Sequence, residues 1–202
     1  MFNSTDIRVP VALIGLSAIA GLALATPCRA ENFNGVYVGG DFGYESSGRT
    51  SKSGWTYGGF AGVDVRLGGG LVPGAEVRLA DSAIIERLRG ETPSFNTTQS
   101  SIVGRSIGAT ARLGWLADDK TLLFARGGIE QTRFSIEQVR TPKPPTSNPI
   151  PQVNSFSVTE DSAILGAGVE RYVTNKISVR LTYDWAEKFD RHQLRAGVAF
   201  RF

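Results

Sequence analysis

The chain holds one histidine, His192, and one cysteine, Cys28. The side chains most used as base, thiol nucleophile or metal ligand are therefore nearly absent. A serine two residues after His192 would give the imidazole a hydroxyl to activate, but that position is Leu194. There is no HExxH, no paired metal-ligand spacing and no phosphate-binding loop. Gly39-Gly40 and Gly127-Gly128 fall inside expected strands, where they mark close packing or bending. We expect no catalytic residue, no cofactor and no metal site. What remains is a set of charges on one parity: Asp41, Asp64, Arg66, Glu76, Arg78, Arg112, Arg126, Glu130, Glu170, Arg180, Asp184, Arg195 and Arg201. They are six acids and seven arginines. The planar guanidinium pairs with carboxylates two bonds at a time. An enclosed charge left unpaired costs several kcal/mol. The chemistry on offer is mutual neutralisation in a confined space.

Strands must carry those charges, because a strand sends alternate side chains to opposite faces. About 177–185 sets Ile177, Val179, Leu181, Tyr183 and Trp185 against Ser178, Arg180, Thr182 and Asp184. The same reading places strands at about 35–44, 54–67, 71–80, 102–115, 121–137, 157–171 and 192–202. Leu122 and Phe124 break the pattern by sharing the polar parity. The connections after the first, third, fifth and seventh strands are long or polar. Those after the second, fourth and sixth are short: Gly68-Gly69-Gly70, Asp118-Asp119-Lys120 and Thr174-Asn175-Lys176. Residues 81–101 are long and mixed: 91–100 read as loop and the apolar patch Ala83 to Ile85 as a short helix or strand extension, while 141–152, with five prolines, read as an extended loop. On the apolar parity, Tyr44, Trp55, Tyr57, Tyr183 and Trp185 fall at one set of strand ends. Trp115, Phe200 and Phe202 fall at the other. Two aromatic girdles around an apolar band are the signature of a membrane-spanning barrel, whose strands need about ten residues per crossing. The expected fold is all-β: an eight-stranded antiparallel up-and-down transmembrane barrel with short periplasmic turns and longer extracellular loops.

The remaining composition agrees. The formal charge of +3 is small and spread out, without a Lys/Arg run, which excludes nucleic-acid binding. Residues 1–30, with an apolar stretch from Val9 to Ala25, read as a secretory signal cleaved after Ala30; a retained membrane anchor is the alternative. Residues 31–202 are then the barrel, and Cys28 is lost with the leader. That leaves no disulfide chemistry.

Several stretches resemble the OmpA-like β-barrel family. They are FNGVYVGGDFGY (33–44), ATARLGW (109–115), DDKTLLFARGGI (118–129), GAGVERYVTNKISVRLTYDW (166–185) and HQLRAGVAFRF (192–202). The resemblance is strongest to the small porin-family and outer-membrane immunogenic surface proteins of α-proteobacteria. It implies insertion by the barrel-assembly machinery, with Leu194, Ala196, Val198, Phe200 and Phe202 as the assembly signal. The expected location is the cell outer membrane, with outer-membrane lipid and lipopolysaccharide as surroundings and a monomeric state. The favoured function is structural and surface-exposed, with a salt-bridged, closed lumen. A small porin-like channel, or a surface adhesin or ligand-binding protein engaging an unknown ligand or host factor through its outer loops, are the alternatives. A soluble lipocalin-like carrier is the distant one. Removing Phe202 should lower outer-membrane levels far more than changing the loop aromatic Phe95, as measured by membrane fractionation; normal levels of the truncated chain would contradict the assembly role.

Overall fold

In the computed structural model, residues 32–48, 52–82, 85–91, 95–142 and 152–202 are described. The expected leader and most of the proline-rich loop lie outside them. The described residues form eight antiparallel strands: β1 (Gly35–Ser47), β2 (Lys52–Asp64), β3 (Leu71–Ser82, resumed at Ile85–Glu91), β4 (Phe95–Asp118), β5 (Thr121–Pro142), β6 (Gln152–Tyr172), β7 (Ile177–Ala186) and β8 (Arg191–Arg201). Each pairs with its sequence neighbours, and β8 pairs with β1 from Tyr37↔Arg201 to Ser47↔Arg191. The sheet thus closes on itself as an up-and-down barrel. Closure removes the edges that would otherwise leave backbone groups unpaired in a hydrocarbon environment.

The alternation of the sequence becomes two surfaces. Outside, Val38, Phe42, Leu79, Leu113, Leu123, Ile129, Leu165, Val179, Leu181, Leu194 and Val198 are all exposed. Inside, the largest fully buried side chains include Tyr37, Phe33, Leu122, Glu45 and Glu170. This is a globular protein turned inside out, and only an apolar surrounding makes such an exterior stable. Among the described residues no helix is long and apolar enough to cross a membrane; the crossing elements are strands.

The short connections fall together at one end. Gly69 and Gly70 take φ of 79° and 83°, backbone geometry that favours glycine over any side chain. The Asp118 carboxylate accepts the Lys120 N–H at 2.7 Å. That bond holds the Asp118 carboxyl below its ordinary pKa.

The other end departs from expectation. Residues 81–101 are largely strand, not loop: β3 resumes against β4 from Ile85↔Ile102 to Glu91↔Asn96. Phe95 is accordingly the first residue of β4 rather than a loop aromatic. β4 and β5 pair out to Phe95↔Pro142, and β5 and β6 out to Arg140↔Gln152. β7 joins β6 only from Ile164↔Ala186 inward. Four strands thus overrun the barrel as a sheet, hereafter the wing, while β1, β2, β7 and β8 stop at the rim. At its base, Gly104 and Arg105 of β4 stand opposite Arg133 alone, a β-bulge between the pairs Val103↔Phe134 and Ser106↔Thr132. The extra residue flips the parity of β4 above it.

Candidate functional site

Among the described residues, charge is concentrated in the lumen. Seven carboxylates (Asp41, Glu45, Asp64, Glu76, Glu130, Glu170, Asp184) and seven guanidiniums (Arg78, Arg112, Arg126, Arg180, Arg191, Arg195, Arg201) are buried there. Every strand supplies at least one.

They form a ladder along the barrel axis. At the short-turn end, Asp64, Arg112, Glu170 and Arg201 close a four-membered ring. Arg201 Nη2 lies 2.8 Å from both carboxylates, Arg112 Nη2 is 3.1 Å from Glu170, and Arg112 Nε is 3.2 Å from Asp64. Ser178 Oγ donates to Glu170 at 2.6 Å. Above the ring, Glu76 accepts from Arg180 at 2.5 Å, from Arg126 at 2.9 Å and from the Tyr37 hydroxyl at 3.0 Å. Arg126 also grips Asp184 with two bonds, 2.7 and 2.6 Å. Arg195 reaches the same carboxylate. Arg78 holds Asp41 with a second fork, 2.9 and 2.7 Å. At the wing end Arg191 bridges Glu130 and Glu45, and Glu45 also accepts from Gln193 at 3.0 Å and from Ser82. Paired forks of this kind are the strongest neutralisation a side chain offers.

Rings fill the gaps between rungs. Phe33, Val72, Leu122, Phe124 and Tyr172 form one buried cluster at the short-turn end, with Phe33 set edge-on to Tyr172 at 4.7 Å. The guanidinium of Arg112 lies 4.3 Å from the Phe124 ring, and that of Arg201 4.5 Å from the Tyr37 ring. Leu122 and Phe124 break the sequence alternation because this end of the lumen is stopped by carbon, not charge.

Of the charges read from sequence, twelve fall in this ladder. Arg66 does not: it lies beyond the end of β2, half-exposed, with its backbone N–H bonded to Asn34. The strand was expected to run to Leu67 but ends at Asp64. Glu45 and Arg191 join the ladder although each lies one residue outside the strand bounds that alternation marks, 35–44 and 192–202. Each continues the lumen parity of its strand, through Asp41 and Gly43 to Glu45, and from Arg195 through Gln193 to Arg191. Tyr37, fully buried in the lumen, shares the parity of Asp41.

The aromatic residues lie on the opposite surface. Tyr44, Trp55, Tyr57 and Tyr183 are exposed at the wing end, with Trp185 partly so; Trp115, Phe200 and Phe202 are exposed at the other. Trp55 stacks on Phe42 at 5.0 Å and meets Tyr44 edge-on at 5.2 Å. Leu194, Ala196, Val198, Phe200 and Phe202 share this outer face. His192 lies opposite Ser46 in the β1–β8 register. Its Nδ1 instead meets the Tyr183 hydroxyl at 2.7 Å, and its Nε2 faces Asp190 at 3.6 Å. Among the described residues, no group of three or more His, Cys, Asp or Glu is placed to hold a metal ion.

A family described as "outer membrane protein beta-barrel domain" matches residues 11–202. The structure is similar to that of Ail, the attachment invasion locus protein of Yersinia pestis, at 11% identity and a TM-score of 0.54, covering 84% of this chain and 99% of that one. It is also similar to neisserial surface protein A, at 17% identity, a TM-score of 0.48 and coverage of 84% and 98%. A third is the N-terminal β-barrel domain of OprF from Pseudomonas aeruginosa, at 15% identity, a TM-score of 0.41 and coverage of 84% and 98%. A search of curated proteins finds no significant match.

Replacing Glu76 by Gln keeps the shape but leaves Arg180 and Arg126 without their shared counter-charge. Unfolding in guanidinium from lipid vesicles should show a loss of about 3–5 kcal/mol, the cost of breaking a buried pair from one side; a loss within experimental error of zero would contradict the ladder.

Proposed function

The chain belongs to the outer membrane protein β-barrel domain family, and from that premise we propose that it is a non-enzymatic surface protein whose own side chains close its lumen. The observation that carries this is continuity. From the Phe33–Leu122–Tyr172 plug to the Arg191 bridge at the wing end, ring and ion pair follow one another along the axis. An eight-stranded barrel is only just wide enough for its side chains to fill. Among the described residues, seven carboxylates against seven guanidiniums leave no surplus of one sign in the lumen to draw an ion through. For an ion to pass, several forked pairs must open at once, each leaving charges unpaired at low dielectric. The non-enzymatic reading is supported by the lumen carboxylates, each of which is held by at least one arginine.

In planar bilayers the reconstituted protein should give no stable openings. Steady openings that vanish in the Glu76→Gln or Arg180→Gln variants would overturn closure and favour a small channel.

One observation favours a second role, binding at the cell surface. The longer connections of such barrels face outward, so the wing stands outside the membrane. From Gln152 to Ala163, β6 has a ladder partner on one side only, among the described residues. Val153, Phe156 and Val158 are exposed on it. An open strand edge, uncharged from Gln152 to Thr159, is a template for another extended chain. Trimming the wing back to the bulge should abolish adhesion of expressing cells to immobilised matrix proteins while the barrel still assembles; undiminished adhesion would exclude the wing.

A further inference from the structure

The lipid-facing wall is unevenly covered. Leu79, Gly59, Gly40 and Val198 stand side by side in one row across β3, β2, β1 and β8. The two central glycines leave backbone bare, and a trough of about 920 Å³ opens over them. Phe42 and Tyr57 wall it on the outer side, each more than half exposed.

Packing does not demand these glycines. A Cβ on Gly40 would come no nearer than 3.5 Å to any neighbour, and one on Gly59 no nearer than 3.7 Å, which is ordinary contact. The adjacent lumen-facing Gly39 and Gly58 are the opposite case: a Cβ there would collide with the Phe60 ring or with the backbone of Leu79. Crowding explains the inner glycines and leaves the outer pair unexplained. A third lipid-facing glycine, Gly127, has the Leu165 side chain 3.2 Å from where its Cβ would stand, so it is already covered.

A cation stands at the outer rim of the same trough. Arg105 is the bulge residue of β4, and bulges re-aim side chains. It is exposed, and among the described residues no hydrogen bond or ion pair engages it. The nearby acid at the rim, Asp81, accepts its neighbour Ser82's N–H at 2.9 Å instead. The pairs Tyr57↔Asp81 and Ala80↔Ser106 put Arg105 level with the outer aromatic girdle, the depth at which lipid headgroups lie.

We infer that the Gly40–Gly59 trough and Arg105 form a docking site for a phosphorylated, acylated glycolipid of the outer leaflet, one acyl chain lying over the two glycines and a phosphate on the guanidinium. This rests on the outer-membrane reading above. An acyl chain gains no hydrophobic energy by leaving other lipid, so the trough contributes shape and close contact, as between packed helices in a bilayer. The preference for an anion comes from Arg105, whose fork matches a phosphate with two parallel bonds.

The test compares the full chain with Arg105→Ala, Gly59→Leu and a control, Ala109→Leu, on another part of the lipid-facing wall. Each is expressed in an outer membrane, extracted in mild detergent, checked for folding by its shift in gel mobility on boiling, and weighed with its retained lipid by native mass spectrometry. The parent and Ala109→Leu should retain one phosphoglycolipid. Arg105→Ala and Gly59→Leu should each retain about tenfold less, the scale of one lost contact of roughly 1.4 kcal/mol. Gly59→Leu adds apolar surface where there is room, and Arg105 is exposed, so both variants should fold. Equal retention by all four proteins, or retention of a glycerophospholipid in place of the glycolipid, would overturn the site. A parent protein without a boiling shift would instead overturn the barrel reading on which the site depends.

Discussion

The matching of buried guanidiniums to buried carboxylates is the constraint on which the rest of this barrel depends. The members of the ladder come from all eight strands, and most bonds cross the lumen rather than join neighbours in sequence: Asp41 with Arg78, Arg126 with Asp184, Asp64 with Arg201. A strand that slipped by one residue would turn its charges toward lipid and its apolar side chains inward. It would also strand the partners left behind, each at a cost of several kcal/mol. The ladder therefore fixes register for the whole sheet at once. The exterior reinforces this from the other side, since Val, Leu, Ile and aromatic residues on the opposite parity tolerate only an apolar surrounding.

Around that fixed interior, the two ends of the barrel differ. The short-turn end is stopped by Phe33, Leu122, Phe124 and Tyr172, with arginines laid against their rings. The other end is lopsided. β3 to β6 rise into the wing, while β1, β2, β7 and β8 end at the rim. The bulge at Gly104–Arg105 marks where the wing departs from the barrel. Its extra residue lets β4 change face without disturbing the charges below. The bare Gly40–Gly59 stretch lies on the low side of the wall, beneath the outer girdle. The proposed closure, surface contact and lipid contact fall in separate regions: lumen, wing and outer wall.

Much of this was legible in the sequence, and for one reason. The period of a strand is two, and in a closed barrel both faces are strictly selected, so parity alone sorts Asp184 inward and Trp185 outward. It failed where a different physical rule took over. Leu122 and Phe124 look misplaced until the inner stopper is known to be apolar. Arg66 carries the correct parity but lies beyond the last ladder pair of β2, at Asp64. Glu45 and Arg191 were lost because a polar strand end reads like a loop. Residues 85–91 and 95–101 were hidden for a related reason: a polar run such as Asn96 to Ser100 has no apolar parity to reveal it, and the bulge shifts the phase of β4. The Gly40–Gly59 trough was beyond reach, because its significance depends on which glycines have room for a side chain.

The central claim is that these charges stabilise the barrel as pairs. A double-mutant cycle on Asp41 and Arg78, which make a forked contact at 2.9 and 2.7 Å, tests it directly. Unfolding free energies would be measured in lipid vesicles for the parent, Asp41→Asn, Arg78→Gln and the double variant. If the account holds, the two single losses will exceed the double loss by about 1–3 kcal/mol, because the second substitution removes a charge already left unpaired. Losses that simply add would show that the two side chains do not act as a pair and would contradict the account.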